Sequence, residues 1–141
     1  MGFIELRSNK DEVINWLQGK VDDLPTRAGY MVQEILNIYE LIAGVLSPFR
    51  TGELRYSHQV ELSGLTGTMV PTADHAAYVI LGTSAHVIEP VDKQALYWPG
   101  ASHPVKRVMH PGTRPNDYVQ DAFDSADVEG PMDNFLEWLV S

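Results

Sequence analysis

Frequent turn signals between residues 78 and 118 constrain this chain most, because they leave room only for short secondary-structure elements. Apolar runs in this stretch are interrupted by five groups of turn-forming residues: Gly82-Thr83, Glu89-Pro90, Pro99-Gly100, His103-Pro104 and His110-Pro111-Gly112. Glycine and proline at such close spacing are typical of tight corners between strands. The stretch therefore predicts a small antiparallel sheet. It contains no combination of acid, base and nucleophile that is typical of an enzyme.

Length and composition indicate a single globular domain without disulfides. A chain of 141 residues is long enough to bury a core. It contains no cysteine, which excludes disulfides and thiolate metal sites. The N-terminal residues lack the features of a signal peptide, and no apolar run approaches the roughly 20 residues of a membrane-spanning helix. We therefore expect a soluble protein that is synthesised in the cytoplasm and has no membrane partner.

Negative charge is concentrated at the C-terminal end of the chain. The formal net charge is −9, to which residues 1–47 contribute −3, residues 48–115 contribute +1 and residues 116–141 contribute −7. Without a basic stripe, binding to nucleic acid through phosphate neutralisation is not expected. An acidic surface of this kind suits DNA that passes without sticking, a basic protein partner, or solubility alone.

Helical periodicity predicts two helices in the first third of the chain. Ser8 and Asp11 match a capping box that would follow a short strand at residues 3–7. Pro25 is expected in the first turn of the second helix, whose apolar positions recur as far as Leu46. The apolar face of the first helix would consist of Val13, Leu17, Val21 and Leu24, with Ile14 and Trp16 beside it.

Alternating apolar residues predict the strands. Residues 56–62 and 68–70, joined by a turn at residues 64–67, form a candidate hairpin that would extend from the domain as an arm. Pro115 would open a C-terminal helix that ends at Gly130. Three further strands are expected at residues 78–81, 95–98 and 105–109.

Together these elements predict an α+β fold. We expect an antiparallel sheet of about four to five strands, with two N-terminal helices and one C-terminal helix packed on it, plus the hairpin arm. One domain would span residues 1–128. Residues 129–141 would form an acidic and apolar C-terminal extension, with one or two more helical turns.

Five motifs, taken in order, resemble those of a viral protein family. They are Arg50-Thr51-Gly52-Glu53-Leu54, Tyr78-Val79-Ile80-Leu81-Gly82-Thr83, Ile88-Glu89-Pro90, Lys93-Gln94-Ala95-Leu96-Tyr97-Trp98 and His110-Pro111-Gly112-Thr113-Arg114-Pro115. Over about residues 1–128 the chain resembles the neck and tail-component family of long-tailed double-stranded DNA phages and related archaeal viruses. This family includes head–tail joining, tail completion and tail terminator proteins. Where it often has an acidic residue before the Gly-Thr pair, this chain has Ile80.

The resemblance implies a structural virion protein of the neck or tail, without a cofactor. It implies a homo-oligomer, a hexameric ring, that joins the head-side connector or head-closure protein to the tail tube protein. Double-stranded DNA would pass through the ring without specific binding. Six residues are expected to form structural turns: Gly52, Gly82, Thr83, His110, Pro111 and Gly112.

Two further sets of residues are expected to form functional surfaces. The first is an assembly interface built from the hairpin segment and the C-terminal extension: Leu54, Tyr56, Leu62, Leu65, Met69, Val70, Phe135 and Trp138. The second is a set of acidic residues that would face the channel and repel the DNA backbone: Asp117, Asp121, Asp124 and Asp127.

Catalysis and metal binding are not expected. The spacing of the five histidines does not match a zinc site: His58, His75, His86, His103 and His110. Ser84, His86 and Asp92 supply residue types that hydrolases use, but no Gly-x-Ser-x-Gly elbow surrounds the serine. Residues 64–67 lack the lysine and the hydroxyl residue of a phosphate-binding loop.

Two alternatives remain open. Five basic residues would either form a local basic face of a ring or lie on solvated strand edges beside acids: Arg50, Arg55, Lys106, Arg107 and Arg114. The second functional hypothesis is a non-viral protein-binding module, such as a host-type adaptor or a toxin–antitoxin component, that uses the same sheet to hold a protein. Neighbouring genes for head, portal and tail proteins would favour the viral interpretation.

Overall fold

The computed structural model describes residues 9–141, which form four helices and four short strands. The α+β class is therefore confirmed. The expected strand at residues 3–7 and the Ser8 cap lie outside the described residues. In chain order the elements are α1 (Lys10–Leu46), β1 (His58–Ser63), β2 (Thr66–Pro71), α2 (Ala76–Leu81), β3 (His86–Ile88), β4 (Val108–His110), α3 (Tyr118–Ser125) and α4 (Glu129–Val140).

The N-terminal region is one helix of 37 residues, where the sequence predicted two. Pro25 lies inside α1 instead of opening a second helix. The apolar positions keep their helical phase across the proline, because Val21, Leu24, Ala28 and Met31 follow one another at spacings of three or four residues. At 1.5 Å per residue, α1 is about 55 Å long.

The expected hairpin is present, but it lies along α1 and does not project as an arm. β1 and β2 pair antiparallel, from His58 opposite Pro71 to Ser63 opposite Thr66. Alternate residues of both strands face α1. At Gly67, an added Cβ would come within 2.6 Å of the Leu36 side chain of α1. The hairpin therefore covers the C-terminal half of α1.

The turn of this hairpin contains two residues, fewer than predicted. Gly64 has φ +62°, whereas Leu65 does not have a positive φ. A type I′ turn requires positive φ at both central residues, and a type II′ turn requires it only at the first. The hairpin therefore matches the type II′ geometry, in which glycine occupies the first position.

The expected sheet of four to five strands is not formed within residues 9–141, which contain two separate two-stranded sheets. Residues 78–81, predicted as a strand, belong to helix α2. A short apolar run does not by itself distinguish a strand from a helix, and this helix is also less buried than predicted, with Tyr78 and Leu81 exposed. Residues 95–98 contribute only a bridge between Leu96 and Val105. β3 and β4 form the second sheet, with His86 opposite His110.

Two glycines allow a close backbone crossing beside this second sheet. Thr83 and Thr113 form a reciprocal backbone bridge, with N–H to oxygen distances of 2.9 and 3.0 Å. Gly82 has φ 72° and ψ 179°, a region that is essentially restricted to glycine. A Cβ at Gly82 would lie 2.5 Å from the Thr113 carbonyl oxygen, and a Cβ at Gly112 would meet the backbone of Thr83 and Ser84.

The core is small and joins the C-terminal half of α1 to α2 and α3. Its largest member is Tyr118, which is 1% exposed. The rings of Tyr39 on α1 and Phe123 on α3 lie beside this core, with centroids 4.4 Å apart. Small side chains at three of the five positions let the helices approach closely. The core cluster consists of Ala43, Leu54, Ala76, Tyr118 and Ala122.

The C-terminal region contains the expected helix, α3, and a second helix of 12 residues, α4, where only one or two helical turns were expected. α3 ends at Ser125 because Ala126 has extended backbone angles, and Gly130 lies inside α4 instead of ending a helix. α4 packs on α1 and contains no fully buried residue. Among residues 9–141, every helix is too short or too polar to cross a bilayer.

Replacing Pro25 by alanine should stabilise the protein. The substitution restores an N–H donor inside α1, and we expect a gain of about 2 kcal/mol in the free energy of unfolding after the greater freedom of the unfolded chain is subtracted. Urea denaturation and far-ultraviolet circular dichroism would measure the gain, with Thr26→Ala as the neighbouring control. A loss of stability would contradict the continuous helix and favour two helices that meet at Pro25.

Gly82→Ala should destabilise the protein strongly. Backbone strain and overlap with Thr113 together should lower the free energy of unfolding by at least about 2 kcal/mol. Gly130→Ala is the matched control, because its Cβ would enter open space on α4 and should gain up to about 1 kcal/mol. Equal thermal melting temperatures for the two variants would contradict the close crossing.

Candidate functional site

The accessible surface of this chain is much larger than that of a compact monomer. It measures 11132 Å². A monomeric globular protein of 15.7 kDa exposes roughly 7,300 Å². Subtracting about 1,400 Å², the largest area that eight residues of this mass could expose, still leaves an excess of about 2,400 Å². This excess is comparable in size to the area that subunits bury in stable assemblies.

Much of the exposed apolar surface lies on the N-terminal half of α1 and on α4. The large apolar side chains there are between 37% and 79% exposed. We call this surface the two-helix face, and it consists of Val13, Ile14, Leu17, Val21, Leu24, Met132, Leu136, Leu139 and Val140.

The two stripes lie on the same side of the helix pair. α4 runs antiparallel to α1, because Trp138 lies beside Lys20 whereas Pro131 and Glu34 line one cleft further along. Successive residues of a helix are about 100° apart, so the exposed apolar residues of each helix lie beside the residues that contact the other helix. Because the two helices are antiparallel, the two exposed stripes lie on the same side of the pair. The stripes therefore form one continuous apolar face and not two separate patches.

Phe135 and Trp138, which were expected at a partner interface, line a cleft together with α1 residues of the same chain. The Lys20 ammonium group lies 4.7 Å from the Trp138 ring centroid, and the Arg27 guanidinium group lies 5.5 Å from it. Lys20 also donates a hydrogen bond to the Trp138 carbonyl oxygen. A cation at the C-terminal end of a helix compensates its unpaired carbonyl groups. These contacts fasten α4 across the Pro25 region of α1.

Of the expected interface residues in and next to the hairpin, three are at least partly buried within the chain and three are exposed. Leu54 is 3% exposed and belongs to the core, so it is not available to a partner. Leu62 and Met69 are half-buried on the side that faces α1. The exposed members are Tyr56, Leu65 and Val70.

The four acidic residues expected to face a channel are all exposed and surround α3. Asp117 caps this helix, since its Oδ1 accepts a hydrogen bond from the Gln120 N–H at 3.2 Å. Asp127 accepts one from the Glu129 N–H at 3.1 Å, at the start of α4. Asp121 and Asp124 lie on α3 between them. Two of these acids therefore have a local structural role besides their charge.

A second apolar surface is formed by residues 88–111, around β3 and β4. It is an open groove of about 470 Å³. Tyr97 and Met109 are 69% and 65% exposed within it. Lys93 lines the adjoining cleft, and Lys106 with Arg107 directly precede β4. We call this surface the β-groove; its apolar lining consists of Ile88, Leu96, Tyr97, Trp98, Val108 and Met109.

Of the five basic residues for which the sequence left two alternatives open, Arg55 has a defined structural contact. Arg55 is held at the C-terminal end of α1, where its Nε donates to the Gly44 carbonyl oxygen at 2.9 Å. Its guanidinium group also stacks 4.8 Å from the Phe49 ring centroid. The other four are exposed: Arg50, Lys106, Arg107 and Arg114.

His58 and Tyr118 form a buried polar pair that sequence reasoning missed. His58 Nδ1 lies 3.0 Å from the Arg55 carbonyl oxygen, which can only accept, so Nδ1 carries a proton. In the neutral ring, Nε2 then accepts the Tyr118 hydroxyl proton at 3.0 Å. Burial raises the pKa of the Tyr118 hydroxyl, and the negative charge of Asp117 raises it further. The pair fastens the start of β1 to α3.

Ser84 and His86, which supply residue types that hydrolases use, do not form a hydroxyl–imidazole hydrogen bond in the described chain. His86 Nδ1 contacts the Ser84 carbonyl oxygen at 2.9 Å, not its hydroxyl group. The rings of His86 and His110 face each other across β3 and β4, with centroids 5.1 Å apart. Within residues 9–141, no three histidine or carboxylate side chains are grouped as a metal site requires. No protein-family model, curated protein or solved structure matches this chain.

Tyr118→Phe should lower the free energy of unfolding at neutral pH. It should also make the free energy of unfolding fall less steeply as the pH becomes alkaline. Loss of the hydroxyl leaves His58 Nε2 without its partner, which should cost about 1–2 kcal/mol. Because the pKa of Tyr118 is raised above its ordinary value of 10.0, the unfolded chain releases this proton at a lower pH than the folded chain. The stabilisation is complete below pH 10 and is lost as pH rises through the folded-state pKa.

Urea denaturation of wild type and variant between pH 8 and pH 11 would measure both effects. Tyr56→Phe serves as the control, because Tyr56 is 82% exposed. We expect the control to follow wild type, and the Tyr118 variant to lose less stability above pH 10. Parallel curves for all three proteins would show that the Tyr118 hydroxyl is not protected by folding.

Proposed function

We propose that this protein is a structural subunit of the head–tail junction of a long-tailed double-stranded DNA virus. In this proposal, copies form a ring, a hexamer, in the neck or at the tail terminus. The ring joins the head-side connector to the tail tube and surrounds the DNA channel. The observation that carries the proposal is the excess of exposed surface, since six apolar residues of the described chain are buried whereas most of its large apolar side chains are exposed.

Two distinct apolar surfaces support a ring. Subunits of a cyclic ring with more than two members contact one another head to tail, so each subunit uses two different surfaces. The two-helix face and the β-groove supply such a pair. Obligate interfaces bury about 1,000–2,500 Å² on each partner, so two contacts per subunit account for an excess of about 2,400 Å². The order of motifs between residues 50 and 115 supports the viral context.

The acidic surface supports the passage of DNA. The formal net charge is −9, and the four aspartates around α3 are exposed. In the proposed ring they line the channel, where like charge keeps the phosphate backbone from adhering. The same charges also keep free subunits soluble before they assemble.

A single charged substitution on the two-helix face should prevent assembly without unfolding the chain. Val21 is 62% exposed, so Val21→Asp should change monomer stability by less than about 0.5 kcal/mol. Burial of an unpaired carboxylate in a subunit contact should abolish oligomers. Asn15→Asp, on the opposite side of α1, is the matched control and should assemble as wild type does.

Negative-stain electron microscopy and mass photometry of the purified protein would measure assembly, and mass spectrometry of purified virions would test the location. We expect ring-shaped particles from wild type and the Asn15 variant, and monomers from the Val21 variant. A wild-type protein that remains monomeric at every concentration and is missing from virions would overturn the proposal.

An adaptor that binds another protein is the second candidate. The two-helix face favours it, because a broad apolar helical surface can receive an amphipathic helix of a partner. An adaptor would remain monomeric alone and form a complex of fixed stoichiometry with one partner. Gene neighbours that encode portal and tail proteins would support the ring instead.

A further inference from the structure

We infer that copies of this chain join by packing the two-helix face of one copy into the β-groove of the next. This inference adds detail to the proposed function. It rests on that proposal in one respect, that copies of the chain assemble with one another. It identifies which two surfaces form the contact, and therefore the direction in which subunits follow one another.

Both surfaces are apolar, and they differ in the side chains that they expose. The two-helix face exposes aliphatic side chains, of which Val21 is 62% exposed. The β-groove contains the exposed aromatic side chains of Tyr97 and Trp98. Tyrosine and tryptophan are among the side chains that contribute most to protein contacts. The aliphatic groups of the two-helix face would cover them and exclude water.

The charges around the two surfaces are opposite. Residues 10–27 and 129–141, which carry the two-helix face, contain seven acids and three bases, a net charge of −4. Residues 86–114, which carry the β-groove, contain two acids and four bases, a net charge of +2. Opposite charge at the rim of a contact favours association and selects its orientation.

Packing of two copies through the same two-helix face is less favourable. Ile14, Leu17, Val21 and Leu24 follow the spacing of a coiled coil, with β-branched residues and leucines alternating. From Ala28 onward, however, the hairpin and α3 of the same chain cover this stripe. The free part spans less than two heptads, whereas a coiled coil needs about three to four. Such a contact would also bring two negatively charged segments together.

Disulfide cross-linking can test the contact cleanly, because the chain contains no cysteine. Leu17→Cys and Met109→Cys each introduce one thiol at positions that are 49% and 65% exposed. The two variants are mixed, treated with copper–phenanthroline as the oxidant, and separated on a non-reducing denaturing gel. Val21→Cys with Tyr97→Cys forms a second pair, and Asn15→Cys replaces Leu17→Cys as the control.

We expect covalent dimers from each mixed pair, at least tenfold more than from either variant alone or from the Asn15 control. The double variant Leu17→Cys/Met109→Cys should give a ladder of multimers, because every subunit would be linked to the next. Dimers from Leu17→Cys alone would overturn the inference in favour of contact between two identical faces. Rings in the microscope without cross-links from either pair would overturn it while leaving the proposed function intact. Monomers without cross-links would overturn both.

Discussion

The apolar stripe of α1 is longer than the part that residues 47–141 cover. The hairpin and α3 bury its C-terminal half, where Leu36 and Ala43 are almost fully enclosed. Toward the N-terminus the same stripe continues in water. Each 100 Å² of apolar surface removed from water contributes roughly 2.5 kcal/mol before the costs of association. Burial of this uncovered half against another surface would therefore contribute favourable free energy, whereas the covered half contributes to folding.

α4 connects these two roles. It packs along the flank of α1 from Lys20 to Glu34 and so spans the position of Pro25. Its contact side holds Phe135 and Trp138, whereas its other apolar side chains extend the two-helix face. The C-terminal residues thus stabilise α1 where its hydrogen bonding is interrupted, and they enlarge the surface that a neighbouring copy would cover.

The sequence predicted the elements better than their arrangement. Alternation in residues 56–70 located the hairpin, and helical spacing located both halves of α1. The helical spacing of apolar residues continues across Pro25, which indicates one helix. The apolar run at residues 78–81, in contrast, does not indicate that it is helical. The pairing of His58 with Tyr118 joins residues 60 positions apart, and no local pattern reports it. The two-helix face was visible only in part, because the side on which α4 packs depends on tertiary contacts.

Pro25 has a mechanical consequence for α1. Proline supplies no N–H to the Val21 carbonyl oxygen, so the helix resists bending least at this point. Pro25 lies just before Ala28, from which the apolar stripe of α1 is covered by other elements of the same chain. α4 contacts α1 on both sides of Pro25, so a tilt at this point would carry α4 along while the core kept its packing. In the proposed ring, such compliance would absorb small angular misfits between neighbouring subunits, which rigid rods would accumulate around the circle.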